Sequence, residues 1–234
     1  METYSEFLDR INSFEKKEIC YGQEYFKGNK SIAFKVSNDN AFKPFYGDTI
    51  VFNLDDTVKD KLSQYLEKLY ENAPECFCEK LIASTFHMTL HDLSNSPVLP
   101  EVAVLLFENE LKVVELSKSV KKQKIKMRCK YIFNMVNTSL VLGLYPVDEI
   151  EYEKLMELYY LFDEVRELSY PLTPHITLAY YNIDGFSTES ARKLEAVVSD
   201  LNNESMEIEL DTENLYYQKF ISMNDYINII NLGK

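Results

Sequence analysis

Apolar positions recur at helical spacing in five stretches of the chain and alternate with polar ones in several others. Tyr4, Phe7, Leu8, Ile11 and Phe14 predict an amphipathic helix over residues 3–17. Val58, Leu62, Tyr65, Leu66 and Leu69 follow Asp55 and Asp56, which suit a helix start; Ala191, Leu194, Val197, Val198 and Leu201 follow Ser187 and Thr188 in the same way. Two further helices are expected over about 100–118 and 148–168. Between them, Ile125, Met127, Cys129, Tyr131 and Phe133 alternate with Lys124, Lys126, Arg128 and Lys130, and Met206, Ile208 and Leu210 alternate with Glu207 and Glu209. Period-two alternation of this kind predicts strands with one wet face. Thr49 to Leu54 and Ser139 to Tyr145 also predict strands, the latter stopped by Pro146. No low-complexity tract or long Pro/Gly linker interrupts the series, so the pattern predicts one α+β unit.

Two of the strand-like stretches nearly repeat each other. Thr85-Phe86-His87-Met88-Thr89-Leu90 and Thr173-Pro174-His175-Ile176-Thr177-Leu178 share the pattern Thr-x-His-apolar-Thr-Leu and use two of the three histidines in 234 residues. Each is followed by a helix (about 100–118 or 187–202) and then by strands (about 124–145 or 206–230), a weak internal duplication that leaves the first 40 or so residues outside it. Read as strands, the two-residue period sets Thr85, His87, Thr89 and His91 on one face, with Phe86, Met88 and Leu90 on the other. The second copy aligns Thr173, His175, Thr177 and Tyr181, with Ile176, Leu178 and Tyr180 pointing away.

Two facing imidazoles suit phosphodiester cleavage. One takes a proton from the attacking water or hydroxyl while the other gives one to the leaving oxygen. Threonines two residues on can hydrogen-bond the non-bridging oxygens and hold the phosphorus in line. This chemistry needs no metal.

His87-Met88-Thr89-Leu90 and His175-Ile176-Thr177-Leu178 match both motifs of the 2H phosphoesterases, a family that includes LigT-like cyclic phosphodiesterases and 2′-5′ RNA ligase relatives. The chain resembles that family over roughly residues 45–230. The resemblance implies a bilobal α+β fold of two pseudo-symmetric lobes, each with an antiparallel sheet and flanking helices, and an active site in the groove between them. It divides the chain into a helical N-terminal extension, 1–44, packed on a domain at 45–234 whose first lobe carries the motif at 85–91 and whose second carries that at 173–178. It also implies that His87 and His175 are the catalytic acid and base and that Thr89 and Thr177 hold the phosphate. No cofactor is implied. The substrates implied are 2′,3′-cyclic phosphates, 2′-5′-linked oligonucleotides and other small cyclic nucleotide phosphodiesters.

Further candidates surround this quartet. Thr85 and Thr173 are expected to line the site, and Tyr181 to stack on a nucleobase. His91 is expected to be structural or at the rim, or else to touch substrate or tune His87, since Ala179 holds the matching place in the second copy. Seven of the thirteen residues from Lys118 to Lys130 are basic; Lys126, Arg128 and Lys130 form either a phosphate-attracting wall or a solvated strand face. Two other functions stand beside the enzymatic one. One is a nucleotide or RNA-end binding module without turnover; the other is a metal site in which His87 and His91, four residues apart on a helix, join His175. The segment lacks the glutamate of His-Glu-x-x-His, so no metal is expected.

Charge narrows the partner. The net charge is −13, but residues 1–130 carry a balance of −1 and residues 131–234 one of −12. Long nucleic acids need many basic phosphate contacts, so a small nucleotide or short oligonucleotide is the expected ligand. No stretch approaches the roughly 18 apolar residues needed to cross a membrane. The start of the chain lacks the basic-then-apolar profile of a secretory signal, and the four cysteines (Cys20, Cys76, Cys78, Cys129) are irregularly spaced. A cytoplasmic monomer with free thiols is the expectation.

Overall fold

A computed structural model describes residues 2–15, 19 and 25–234. In chain order its elements are α1 (Tyr4–Glu15), β1 (Tyr25–Phe26), α2 (Ile32–Lys35), β2 (Tyr46–Asn53), α3 (Asp56–Asn72), β3 (His87–Ser96), α4 (Leu99–Leu116) and β4 (Lys124–Met135). There follow β5 (Ser139–Pro146), α5 (Glu149–Asp163), β6 (His175–Tyr180), β7 (Phe186–Ser187), α6 (Thr188–Leu201), β8 (Met206–Asp211), β9 (Leu215–Ser222) and β10 (Asp225–Asn231). All five expected helices form, and α2 is a short addition. Residues 16 and 17 of the first expected helix, and Cys20, lie outside the described residues.

The helix starts follow from local chemistry. Asp55 accepts from the amide of Val58 at 2.8 Å, Asp148 from that of Glu151 at 2.9 Å, and Ser187 from that of Ser190 at 3.2 Å. Each occupies one of the first-turn amides that have no partner inside the helix.

Eight strands form one antiparallel sheet in the order β10-β9-β2-β3-β6-β5-β4-β8. It consists of two four-stranded halves joined where β3 meets β6, and Met88 paired with Ile176 is the register contact there. The order β2-α3-β3-α4 repeats as β5-α5-β6-α6, which places the two motif strands side by side at the centre. The halves interleave along the chain: β9 and β10, from its end, complete the half that β2 and β3 begin.

α4 packs on β2 and β3, while α3 and α6 pack on each other and against β6 and β4. Buried Asp48 fixes α4 to the sheet: its carboxylate accepts from Ser94 N at 2.8 Å, Asn109 Nδ2 at 3.0 Å and the Tyr217 hydroxyl at 2.9 Å. Burial pushes its pKa up, and these three donors offset part of that rise. β1 pairs with β7 in a separate two-stranded sheet. Cys76, Cys78 and Cys129 are buried, and burial pushes Cys78 and Cys129 up to about 12. No helix among the described residues is long and apolar enough to cross a membrane.

Candidate active site

Extending the Met88–Ile176 pair by one residue each way sets His87 across from Thr177 and Thr89 across from His175. The four polar side chains of the duplicated motif thus form a square around the join between the half-sheets. All four are half-buried, whereas Met88, Leu90, Ile176 and Leu178 between them are fully buried. Alternation along a strand gives this separation directly.

The two imidazoles are held in matching ways. His87 Nδ1 lies 2.7 Å from the carbonyl oxygen of Thr85, and His175 Nδ1 lies 2.7 Å from that of Thr173. A carbonyl only accepts, so Nδ1–H is the donor in both and Nε2 is left with its lone pair. Burial pushes His87 down to about 4 despite that hydrogen bond, and the proximity of His175 adds to the fall. His175 is lowered as well, again chiefly by burial. Asp92 raises both, more weakly. At neutral pH the free site therefore holds two neutral imidazoles, each presenting Nε2.

Both motif strands carry the same irregularity just past their threonines. Thr89 pairs with Val51 and His91 with Ile50, so Leu90 is an inserted residue; Thr177 pairs with Val141 and Ala179 with Leu140, so Leu178 is its counterpart. A bulge of this kind reverses which face the following side chains take. Two expectations are corrected by it. His91 does not share the face of His87: it is 1% exposed, its Nδ1 is 2.7 Å from the Asp92 carbonyl, and its Nε2 is 2.9 Å from Asp163 Oδ1 on α5. It therefore ties a helix to the sheet, and it cannot join His87 and His175 around a metal. Tyr181 does not lie on the His175 face either; it is fully buried against Phe26, Phe77 and Phe186.

The residues that do take the site face are Asp92 and Tyr180. Asp92 pairs with Thr49, which shares the face of Val51 and Thr89; Tyr180 pairs with Ser139, which shares that of Val141 and Thr177. The Tyr226 ring stands edge-on to His87 at 5.0 Å. Asp92 accepts from the Tyr170 hydroxyl at 2.9 Å and lines a cavity of about 300 Å³ together with Asn95, Arg166, Glu167, Ser169 and Tyr170. Lys35 Nζ lies 5.1 Å from the Tyr180 ring centroid, bringing a cation to the second half of the site.

Thr85 and Thr173 contribute chiefly through their carbonyls. Thr85 falls in a 3-10 turn, not in the strand, and its hydroxyl donates to the Ile82 carbonyl at 2.7 Å. The hydroxyl of Thr173 accepts from Arg10 Nη1 at 3.1 Å, and Arg10 Nη2 donates to the Leu172 carbonyl at 2.8 Å. Arg10 lies on α1, whose Phe14 stacks at 5.2 Å on Phe133; that residue pairs with Val141 and so shares the Thr177 face. The N-terminal helix thus covers part of the face that carries His175. The basic row stands on the sheet face that carries His175, since Arg128 pairs with Tyr145, but its charges are met along the sheet edge: Arg128 pairs with Glu207 at 3.3 Å, Lys124 with Glu209 at 2.6 Å, and Lys130 sits over the Tyr131 ring. Lys126 lies across from Glu209 in the same acidic register.

Sequence reasoning missed Asp92, Tyr180, Tyr226 and Arg10. Only Asp92 and Tyr180 had a usable signal, their one-residue offset from positions that the strand period selects.

No family profile and no curated protein matches the sequence. Solved structures do match its fold. A conserved Agrobacterium tumefaciens protein of unknown function is similar with a TM-score of 0.68, over 88% of this chain and 94% of its own, at 14% identity. E. coli LigT complexed with 3′-AMP is similar with a TM-score of 0.51, over 80% of this chain and 96% of its own, at 13% identity. A structure described as a phosphoesterase gives 0.50, over 78% and 95%, at 13% identity. The fold is therefore similar to that of E. coli LigT, as the resemblance of the paired motifs led one to expect.

Proposed function

We propose that this protein is a metal-independent phosphodiesterase that hydrolyses a 2′,3′-cyclic or 2′-5′ phosphodiester in a small nucleotide or short oligonucleotide. The observation that carries this reading is the square of His87, Thr89, His175 and Thr177, with each Nδ1–H spent on a backbone carbonyl and each Nε2 left for proton transfer.

One neutral histidine accepts a proton from the attacking water as its oxygen bonds to phosphorus. The other, once protonated, donates to the leaving oxygen as the P–O bond breaks. The bound phosphodiester anion supplies what the free site lacks, a negative charge that raises the imidazole pKa values toward the range where one is protonated. Thr89 and Thr177 donate to the non-bridging oxygens. The cavity beside Asp92 offers room for the part of the substrate beyond the scissile group. Likeness in fold to LigT, seen with 3′-AMP, supports a nucleotide substrate.

The test is turnover of 2′,3′-cyclic nucleotides and 2′-5′ oligoadenylates by protein kept in EDTA. His87→Ala and His175→Ala are each expected to lower kcat by about 10² to 10⁴. Full activity in either variant would sink the proposal. Saturable binding without product would favour the non-catalytic module instead.

A further inference from the structure

We infer that the outward face of α4 is a docking site for an amphipathic helix with a basic flank, supplied by another protein. Val102, Asn109 and Val113 turn inward and define the buried side of this helix. On the other side Val104, Phe107, Leu111 and Val114 stand 66%, 63%, 57% and 46% exposed. Their spacing of three, four and three residues is that of a helix-pairing seam, and they form one continuous apolar row. Scattered exposed apolar residues are ordinary; an aligned row on one helix marks an interaction surface.

The borders of the row select the occupant. Glu101, Glu108 and Glu115 recur at seven-residue spacing along one edge, and Glu110 stands on the other. Glu101 accepts from Ser96 and Glu110 pairs with Lys219, but Glu108 and Glu115 form no ion pair among the described residues. A second copy of the chain would set acid against acid whether the two helices ran parallel or antiparallel, on top of a net charge of −13 in each. An anionic lipid surface is disfavoured for the same reason. A helix bearing apolar side chains at i, i+3 or i+4 and i+7, with Lys or Arg beside them, matches both the row and its borders.

The surface lies away from the chemistry. α4 is fastened through Asp48 and Ser94, which take the face opposite to Thr49 and Asp92, so a docked helix leaves the histidines open. The inference therefore stands or falls independently of the proposed activity.

The experiment uses the full chain and a fluorescent synthetic peptide of three heptads, with Leu at the seam positions, Lys on both flanks and Ala or Gln elsewhere. Saturable one-to-one binding is expected by anisotropy. It should weaken by at least about tenfold in Phe107→Ser/Leu111→Ser, and fall with added salt less steeply in Glu108→Gln/Glu115→Gln. Circular dichroism and an unchanged melting profile confirm that the variants fold. The inference is overturned if the Lys peptide does not bind, or if a Glu-flanked peptide binds equally well. It is also overturned if sedimentation shows a dimer that the seam variant dissociates, or if the chain binds phosphatidylserine vesicles instead.

Discussion

Each motif imidazole is oriented by the carbonyl of the residue two places before it, so the tautomer is fixed by backbone and not by a carboxylate. Without a buried acid behind them, the carbonyl bonds and the weaker pull of Asp92 offset only part of the desolvation that lowers both pKa values. The base must be neutral and the acid protonated, so kcat/KM in the free enzyme follows a bell with both limbs below the ordinary histidine value of about 6.5. We expect kcat/KM to be greatest at mildly acidic pH and to fall as pH rises through 7; a plateau up to pH 8 would contradict the assignment. Arg10 is a positioning residue in this scheme, because its guanidinium holds Leu172 and Thr173 just ahead of His175. Arg10→Ala is expected to lower kcat by about tenfold with a smaller change in KM, and to shift the pH profile; Lys lacks the planar fork and should rescue only in part. Thr85→Val removes only the hydroxyl bond to Ile82 and should leave the profile in place.

At the scale of elements, what was legible in the sequence was whatever local chemistry decides. Asp55 and Ser187 announce their helices because the cap bond spans three residues, and the pairs His87–Thr89 and His175–Thr177 share a face because two residues span one pleat. Past Leu90 and Leu178 the same rule misassigns His91 and Tyr181, since the bulge is set by pairing to β2 and β5, far away in sequence. The helix-directed contact of Arg10 is equally non-local. Another element departs from local preference: the β4–β5 hairpin turns through Val136 and Asn137 at φ 45° and 59°, closed by Thr138 N on the Met135 carbonyl at 2.9 Å. Asparagine tolerates this left-handed geometry, but β-branched valine is strained in it. Val136 is 64% exposed, so Val136→Asn loses little packing. It should raise stability by about 1 kcal/mol, read as a higher urea midpoint with unchanged slope.

Over the whole molecule, the uneven charge of the sequence is partly evened by folding. The basic stretch before residue 130 is laid along the acidic second half, with Lys121 on Glu157, Lys122 on Glu213 and Lys124 on Glu209 and Asp211. These pairs are exposed and contribute little to stability. The histidines at the join of the half-sheets are a different case. His87 titrates at about 4 in the fold and near 6.5 in the unfolded chain, so above pH 6.5 both states are neutral and no linkage acts. As pH falls from 6.5 toward 4 the unfolded chain takes up a proton that the folded one refuses, and stability declines. For His87 alone the loss by pH 4 is roughly 3 kcal/mol, with His175 acting in the same direction. Urea midpoints measured from pH 7.5 to 4.5 should therefore fall steadily in the native chain and much less in His87→Gln/His175→Gln, where the titrating groups are gone. A bound phosphodiester stabilises the protonated imidazole, so 2′,3′-cyclic AMP should protect the native chain more at pH 5 than at pH 7.5 and should not protect the double variant. Equal protection at both pH values would separate the ligand from the histidines, placing it elsewhere than on the square at the sheet centre.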